Sequence, residues 1–119
     1  MTDEKRRLPR GLSRLVCFVK RLGTGGVYRA LTQDLSGSGV RVVIDEIFED
    51  GTPVEVEIKL PDREDPVRFL GETVWCKPLG DPQSASKLKS KSETGIKVIS
   101  IDPTDLTLIK YYVSTGTSL

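Results

Sequence analysis

From Thr52 to Leu60 apolar and polar residues alternate. Val54, Val56, Ile58 and Leu60 fall on one parity, and Pro53, Glu55, Glu57 and Lys59 on the other. A period of two over that length predicts a half-buried strand. "GVRVVI" places Val40, Val42 and Ile44 on one face in the same way. "SRLVCFVK", "GVYRALTQDLS", "VRFLGETVWCK" and "TGIKVISI" are further β-rich runs, giving about six strands. Gly- and Asp-rich turns such as Glu49–Gly51 separate them. Many short strands without long intervening helices predict an antiparallel barrel or sandwich.

One helix is predicted, over residues 102–114. Asp102 supplies an N-cap and Pro103 a first helical residue, and Leu106, Ile109 and Val113 recur at helical spacing. The Ser/Lys-rich stretch from Gly80 to Glu93 reads as a mobile surface loop. Trp75 could stack on a ligand, but it stands among apolar strand residues in "TVWCK" and is expected in or near the core. No internal repeat appears. The division expected is a basic N-terminal arm over residues 1–11, a β-barrel over 12–101 and the closing helix, all in one domain of 119 residues.

Composition is globular, at 37% hydrophobic and 29% charged residues. The net charge is only +1, yet it is unevenly placed. Residues 1–21 carry seven Lys/Arg against two Asp/Glu, net +5, and residues 45–72 carry three against ten, net −7. An anionic ligand is therefore expected to meet the N-terminal part. The longest apolar run, Leu15 to Val19, is far too short to span a bilayer, and the first residues lack a signal-peptide apolar region. No membrane insertion and a cytoplasmic location are expected. Cys17 and Cys76 stand far apart in a chain without histidine, a poor metal site, and read as buried small hydrophobes in a reducing compartment. The missing histidine also removes the commonest general base.

Two short stretches carry chemistry. "RRLPR" sets Arg6 and Arg10 on one face of an extended arm, about 13 Å apart at ~3.3 Å per residue, with Arg7 beside the first and Pro9 stiffening the segment. "DLSGSG" turns Asp34 and Ser36 to one side and Leu35 to the other, with Gly39 free to adopt a positive φ or to admit a close approach. Alone, the second stretch is what any tight turn uses, and the first reads as a solvated basic tail. Together they offer guanidinium forks and a carboxylate with a hydroxyl. Arg bonds phosphate oxygens or guanine O6 and N7 bidentately and stacks on bases. A carboxylate accepts from the N1–H and amine of guanine.

These two stretches, in this order and on this strand pattern, resemble the signatures RxxxR and [D/N]xSxxG of the PilZ domain, the bacterial receptor family for cyclic di-GMP. The likeness continues through "EDGTPVEVEIKLP", "GETVWCK" and "TGIKVISIDPTDLTLIKYYV". It implies a mainly β fold, a six-stranded antiparallel barrel with a C-terminal α-helix. It implies that Arg6, Arg10, Asp34, Ser36 and Gly39 bind cyclic di-GMP, with Arg7 in support, and that no further cofactor or metal is needed. The function implied is a bacterial cyclic di-GMP receptor that signals to a downstream protein. The alternative is a PilZ-like assembly adaptor of a pilus or motility apparatus that binds no nucleotide. A barrel for single-stranded nucleic acid ranks lower, because only seven aromatics are present and the middle strands are acidic. An enzyme is not expected: neither histidine nor a phosphate-cradling GxxxxGK[ST] loop is present.

Overall fold

The computed structural model describes residues 14–61, 63–79 and 91–116. Six strands run β1 (Val16–Arg21), β2 (Val27–Ser36), β3 (Gly39–Ile44), β4 (Pro53–Ile58), β5 (Val67–Pro78) and β6 (Ser92–Ile101). They close a barrel in the order β1-β2-β3-β6-β5-β4, every neighbouring pair antiparallel. Closure removes sheet edges altogether. The expected arm, 1–11, falls outside the described residues, as do residues 80–90 of the Gly80–Glu93 loop. That connection is also shorter than expected, because β6 already begins at Ser92.

Alternation fills the barrel. Cys17 and Val19, then Val40, Val42 and Ile44, then Val54, Val56 and Ile58 all point inward and are buried. Burial pushes the Cys17 thiol up to about 12. Positive-φ glycines make two of the turns: Gly23 and Gly25 between β1 and β2, and Gly51 before β4. The β3–β4 connection is tied to the barrel. Phe48 is buried, its N–H donates to Cys76 Sγ at 3.3 Å, and Ser92 Oγ donates to the Glu46 carbonyl at 2.7 Å. Arg21 spans this connection, pairing with Glu46 at 2.9 Å and lying 4.6 Å from the Phe48 ring centroid. Burial raises the Glu46 carboxyl, but the Ile47 N–H, Tyr28 and Arg21 outweigh it and hold the group below the usual carboxylate range.

The helix α1 spans Pro103–Thr115, one residue beyond the expected end. Asp102 caps it, accepting from the Thr104 N–H at 2.8 Å, and Gly116 ends it in the left-handed conformation at φ 82°. Leu108 and Ile109 are its buried residues and pack on the core, so the apolar face is centred nearer Leu108 than the Leu106–Ile109–Val113 spacing predicted. The helix lies against β2 and β5. It also meets the β2–β3 turn: a Cβ on Gly37 would sit 3.2 Å from Leu106 Cδ1.

Candidate functional site

The local sequence of β2 decides which way Asp34 faces. Ala30 and Thr32 point inward, so strict alternation would turn Asp34 inward too. A bulge at Gln33 adds one residue, pairing Thr32 with Val42 and Asp34 with Arg41. Leu35 then enters the core, and Asp34 and Ser36 face out, as the "DLS" spacing predicts. A second bulge lies on β5. There Val67, Phe69, Gly71 and Thr73 point inward, which projects Trp75 inward as well. Thr73 pairs with Ile96 and Trp75 with Gly95, so Val74 is the extra residue. Trp75 is therefore outside, 41% exposed, and not in the core as its surroundings in sequence suggested.

The two bulges face each other across β3 and β6. Asp34 pairs with Arg41, Arg41 with Gly95, and Gly95 with Trp75. One row across four strands thus places a carboxylate, a guanidinium, a bare glycine and an indole. In the next row Ser36 pairs with Gly39 and Gly39 with Lys97. Between them lies an open cleft of about 350 Å³, lined by Asp34, Ser36, Gly39, Arg41, Trp75 and Lys97 among others. Gly95 makes room for the indole: a Cβ there would collide with it, with Cε2 only 2.5 Å away, so a larger residue would displace the ring. Gly39 does not use the left-handed region expected of it as one possibility, and the backbone already crowds it: the Ile96 carbonyl oxygen lies 2.6 Å from where a Cβ would be.

Polar groups in the cleft are partly engaged. Arg41 bridges, with Nη1 at 2.8 Å from Glu93 Oε2 and Nη2 at 3.8 Å from Asp34 Oδ2. The Ser36 hydroxyl organises the turn: it accepts from the Ser38 N–H at 3.2 Å and lies 3.1 Å from the Ser38 hydroxyl. Lys97 is exposed. The structure thus brings together three expected residues, Asp34, Ser36 and Gly39. Arg6, Arg7 and Arg10 lie outside the described residues. The described part of the chain begins next to β2, however. The Leu15 N–H donates to Thr32 Oγ1 at 2.8 Å, two residues before Asp34. Arg41 and Lys97 went unrecognised in the sequence, because pairing register brings them to the cleft, and Trp75, a conceivable ligand stacker there, reads in sequence as a core residue until the bulge turns it out.

A flat aromatic, a carboxylate and two cations thus stand around an open trough on the outside of a closed β-barrel. The sequence profile of the PilZ domain matches residues 4–115, and the chain belongs to that family. Domains of this family are regulatory and binding modules. No curated protein matches the sequence. Among solved structures, the inhibitor of motility MotI/DgrA of Bacillus subtilis is similar at a TM-score of 0.65 and 20% identity, over 92% of this chain and 49% of that one. This chain therefore spans about half of the Bacillus structure. The PilZ domain of YcgR from Escherichia coli, solved with c-di-GMP, is similar at a TM-score of 0.63 and 11% identity, over 89% of this chain and 84% of that one. Both likenesses concern the fold. Among the described residues, no helix is long and apolar enough to cross a membrane, and no group of residues could hold a metal ion.

Proposed function

We propose that this chain is a cyclic di-GMP receptor that works as an adaptor, taking up the dinucleotide and passing its presence to a partner protein. The observation that carries the reading is the Asp34–Arg41–Gly95–Trp75 row. Asp34 supplies an acceptor for the N1–H and amine of a guanine. The indole supplies a stacking face, and Gly95 makes room for the ring to lie over its strand. Arg41 and Lys97 supply cations for phosphates. The row crosses three strand spacings, about 14 Å at ~4.8 Å each, which suits a ligand with two separated bases better than a mononucleotide. Arg10 stands five residues before Leu15, so the chain length allows it no more than ~17 Å from the point where Leu15 joins β2. The YcgR domain, which its structure shows with c-di-GMP, shares the fold and so supports the reading.

A second reading is an adaptor that binds no nucleotide. It is favoured by the engagement of Ser36 in its own turn and of Arg41 with Glu93. Calorimetric titration with cyclic di-GMP, cyclic di-AMP and GMP separates the two. The receptor reading expects binding of cyclic di-GMP alone at low concentration. It also expects a loss of about ten- to hundredfold on Arg10→Ala, the worth of a charge-assisted hydrogen bond at ~1.5–3 kcal/mol. Arg10→Lys keeps the charge without the planar fork and should restore only part of the loss. No heat with any of the three nucleotides selects the second reading. Equal affinity for cyclic di-AMP removes the guanine-reading role from Asp34.

A further inference from the structure

Away from the cleft, β1, β4 and the start of β5 carry a second surface. Neither β1 nor β4 contributes a residue to the cleft. Two hollows lie side by side there, of about 370 and 240 Å³. Phe18 and Val27 contribute to the first, Leu70 and Phe69 to the second, and both share Glu55 and Arg68. Large apolar groups stand in water at this surface: Val27 is 58% exposed, Leu70 44%, and Ile99, beside Leu70 at a β6 irregularity, 56%. Isolated exposed apolar residues need no explanation, but one in each of two adjoining hollows, Val27 and Leu70, with Ile99 next to the second, marks a contact surface.

The charges on this face say what it would accept. The two hollows are lined by four carboxylates, Glu55, Glu57, Asp102 and Asp105, against two cations, Lys20 and Arg68. Arg68 is already committed, pairing with Glu57 at 3.2 Å. Asp105 accepts from the Arg68 N–H at 3.3 Å. Glu55 has no ion pair with any described residue and sits between the hollows, cross-strand to Lys20 on one side and Leu70 on the other. From β1 across β4 to β5 is two strand spacings, about 10 Å at ~4.8 Å each. That equals the reach between residues i and i+7 of a helix at ~1.5 Å per residue.

We infer that this face docks an amphipathic helix of a partner protein, with apolar anchors at i and i+7 over the two hollows and a Lys or Arg between them facing Glu55. Apolar anchors in pockets supply affinity, and the acidic rim selects a basic partner over an acidic one. The surface shares no residue with the cleft, so partner and nucleotide do not compete for the same atoms. The inference rests on the adaptor half of the proposed function and not on nucleotide binding.

The test uses the isotope-labelled full chain without nucleotide, so a failure to bind cyclic di-GMP leaves it readable. The probe is an Ala-based helical peptide of about 15 residues with Leu at i and i+7 and Lys at i+3 and i+4, alongside a twin with Glu in place of Lys. Amide shifts centred on Lys20, Glu55, Arg68 and Leu70, at least tenfold weaker with the Glu twin, are expected. Leu70→Ser and, separately, Glu55→Lys should each weaken the Lys peptide at least tenfold, with thermal melts confirming that both variants fold. Trp75→Ala should leave it unchanged. Equal binding of the two peptides, shifts centred on the cleft, no shifts at millimolar peptide, or undiminished binding by folded Leu70 and Glu55 variants would each overturn the inference. So would self-association that Leu70→Ser abolishes, since the occupant would then be a second copy of the chain.

Discussion

The same substitution at two glycines of one sheet should have opposite consequences. In Gly39→Ala the new methyl meets the Ile96 carbonyl oxygen at 2.6 Å and Lys97 Cα at 3.3 Å, both backbone. Carbon–oxygen contacts settle near ~3.3 Å, so β3 and β6 must part by roughly 0.7 Å inside a closed barrel. Overpacking of that kind costs about 1–3 kcal/mol, offset by about 0.4–1 kcal/mol from the stiffer unfolded chain. For a domain of this size the net lowers Tm by roughly 3–10 °C. In Gly95→Ala the obstacle is the indole of Trp75, a half-exposed side chain that can swing aside. Stability should then stay within about 1 kcal/mol of the parent. Affinity for cyclic di-GMP should fall by about five- to 150-fold, the worth of one base stacked at ~1–3 kcal/mol. Thermal melts read the first quantity and calorimetry the second. Trp75 is the only tryptophan, so its emission independently reports displacement in Gly95→Ala. If Gly39→Ala melts with the parent, or Gly95→Ala melts as early as Gly39→Ala, the contrast drawn between backbone and side-chain obstruction is wrong.

Two further outcomes follow from the fold. Asp102→Ala removes the acceptor for the Thr104 N–H at the start of α1 and should cost about 1 kcal/mol, seen as a Tm loss of a few degrees, while Asp102→Asn should recover most of it. Glu46 is held below the usual carboxylate range, so the stability it adds is fully present above the unfolded carboxylate value and is lost as pH falls through its lower folded value. Melts from neutral pH into the acid range should therefore fall less steeply in Glu46→Gln than in the parent, and parallel curves would show that Glu46 contributes nothing to acid sensitivity.

The strands were legible because each inward face is written as alternation; Val54, Val56 and Ile58 need nothing more. The helix start was legible because Asp102 and Pro103 act locally. The "DLS" stretch was legible for the same reason, since three residues fix their own relative directions wherever the strand begins. Trp75 was not. Its direction depends on one extra residue, Val74, and alternation counted from Val67 through Thr73 gives the opposite answer. Arg41 and Lys97 were hidden more deeply. Nothing in "GVRVVI" or "TGIKVISI" says that Arg41 stands beside Asp34, or Lys97 beside Gly39, until the register of β3 between β2 and β6 is known. Local chemistry thus announced half of the cleft, and pairing supplied the other half.

Closure of the barrel also limits how this protein can be read by another. With every described strand paired on both sides, none of the six leaves an edge for a partner strand to extend. Recognition has to use outward side chains, and on a regular strand of this chain those are mostly Glu, Arg, Lys and Ser. Exposed apolar exceptions stand on β2, at Val27 and Leu31, and in the pairing of β5 with β6: Val74 and Trp75 at one bulge, Ile99 at another irregularity, Leu70 next to it. The irregularities that place Trp75 and Ile99 in water both occur in the pairing of β5 with β6. One lies at the ligand cleft and the other beside the acidic hollows. The pairing of β5 with β6 therefore carries exposed apolar groups to two separate faces, and a ligand taken up at the first, as proposed, would leave the second free for a protein.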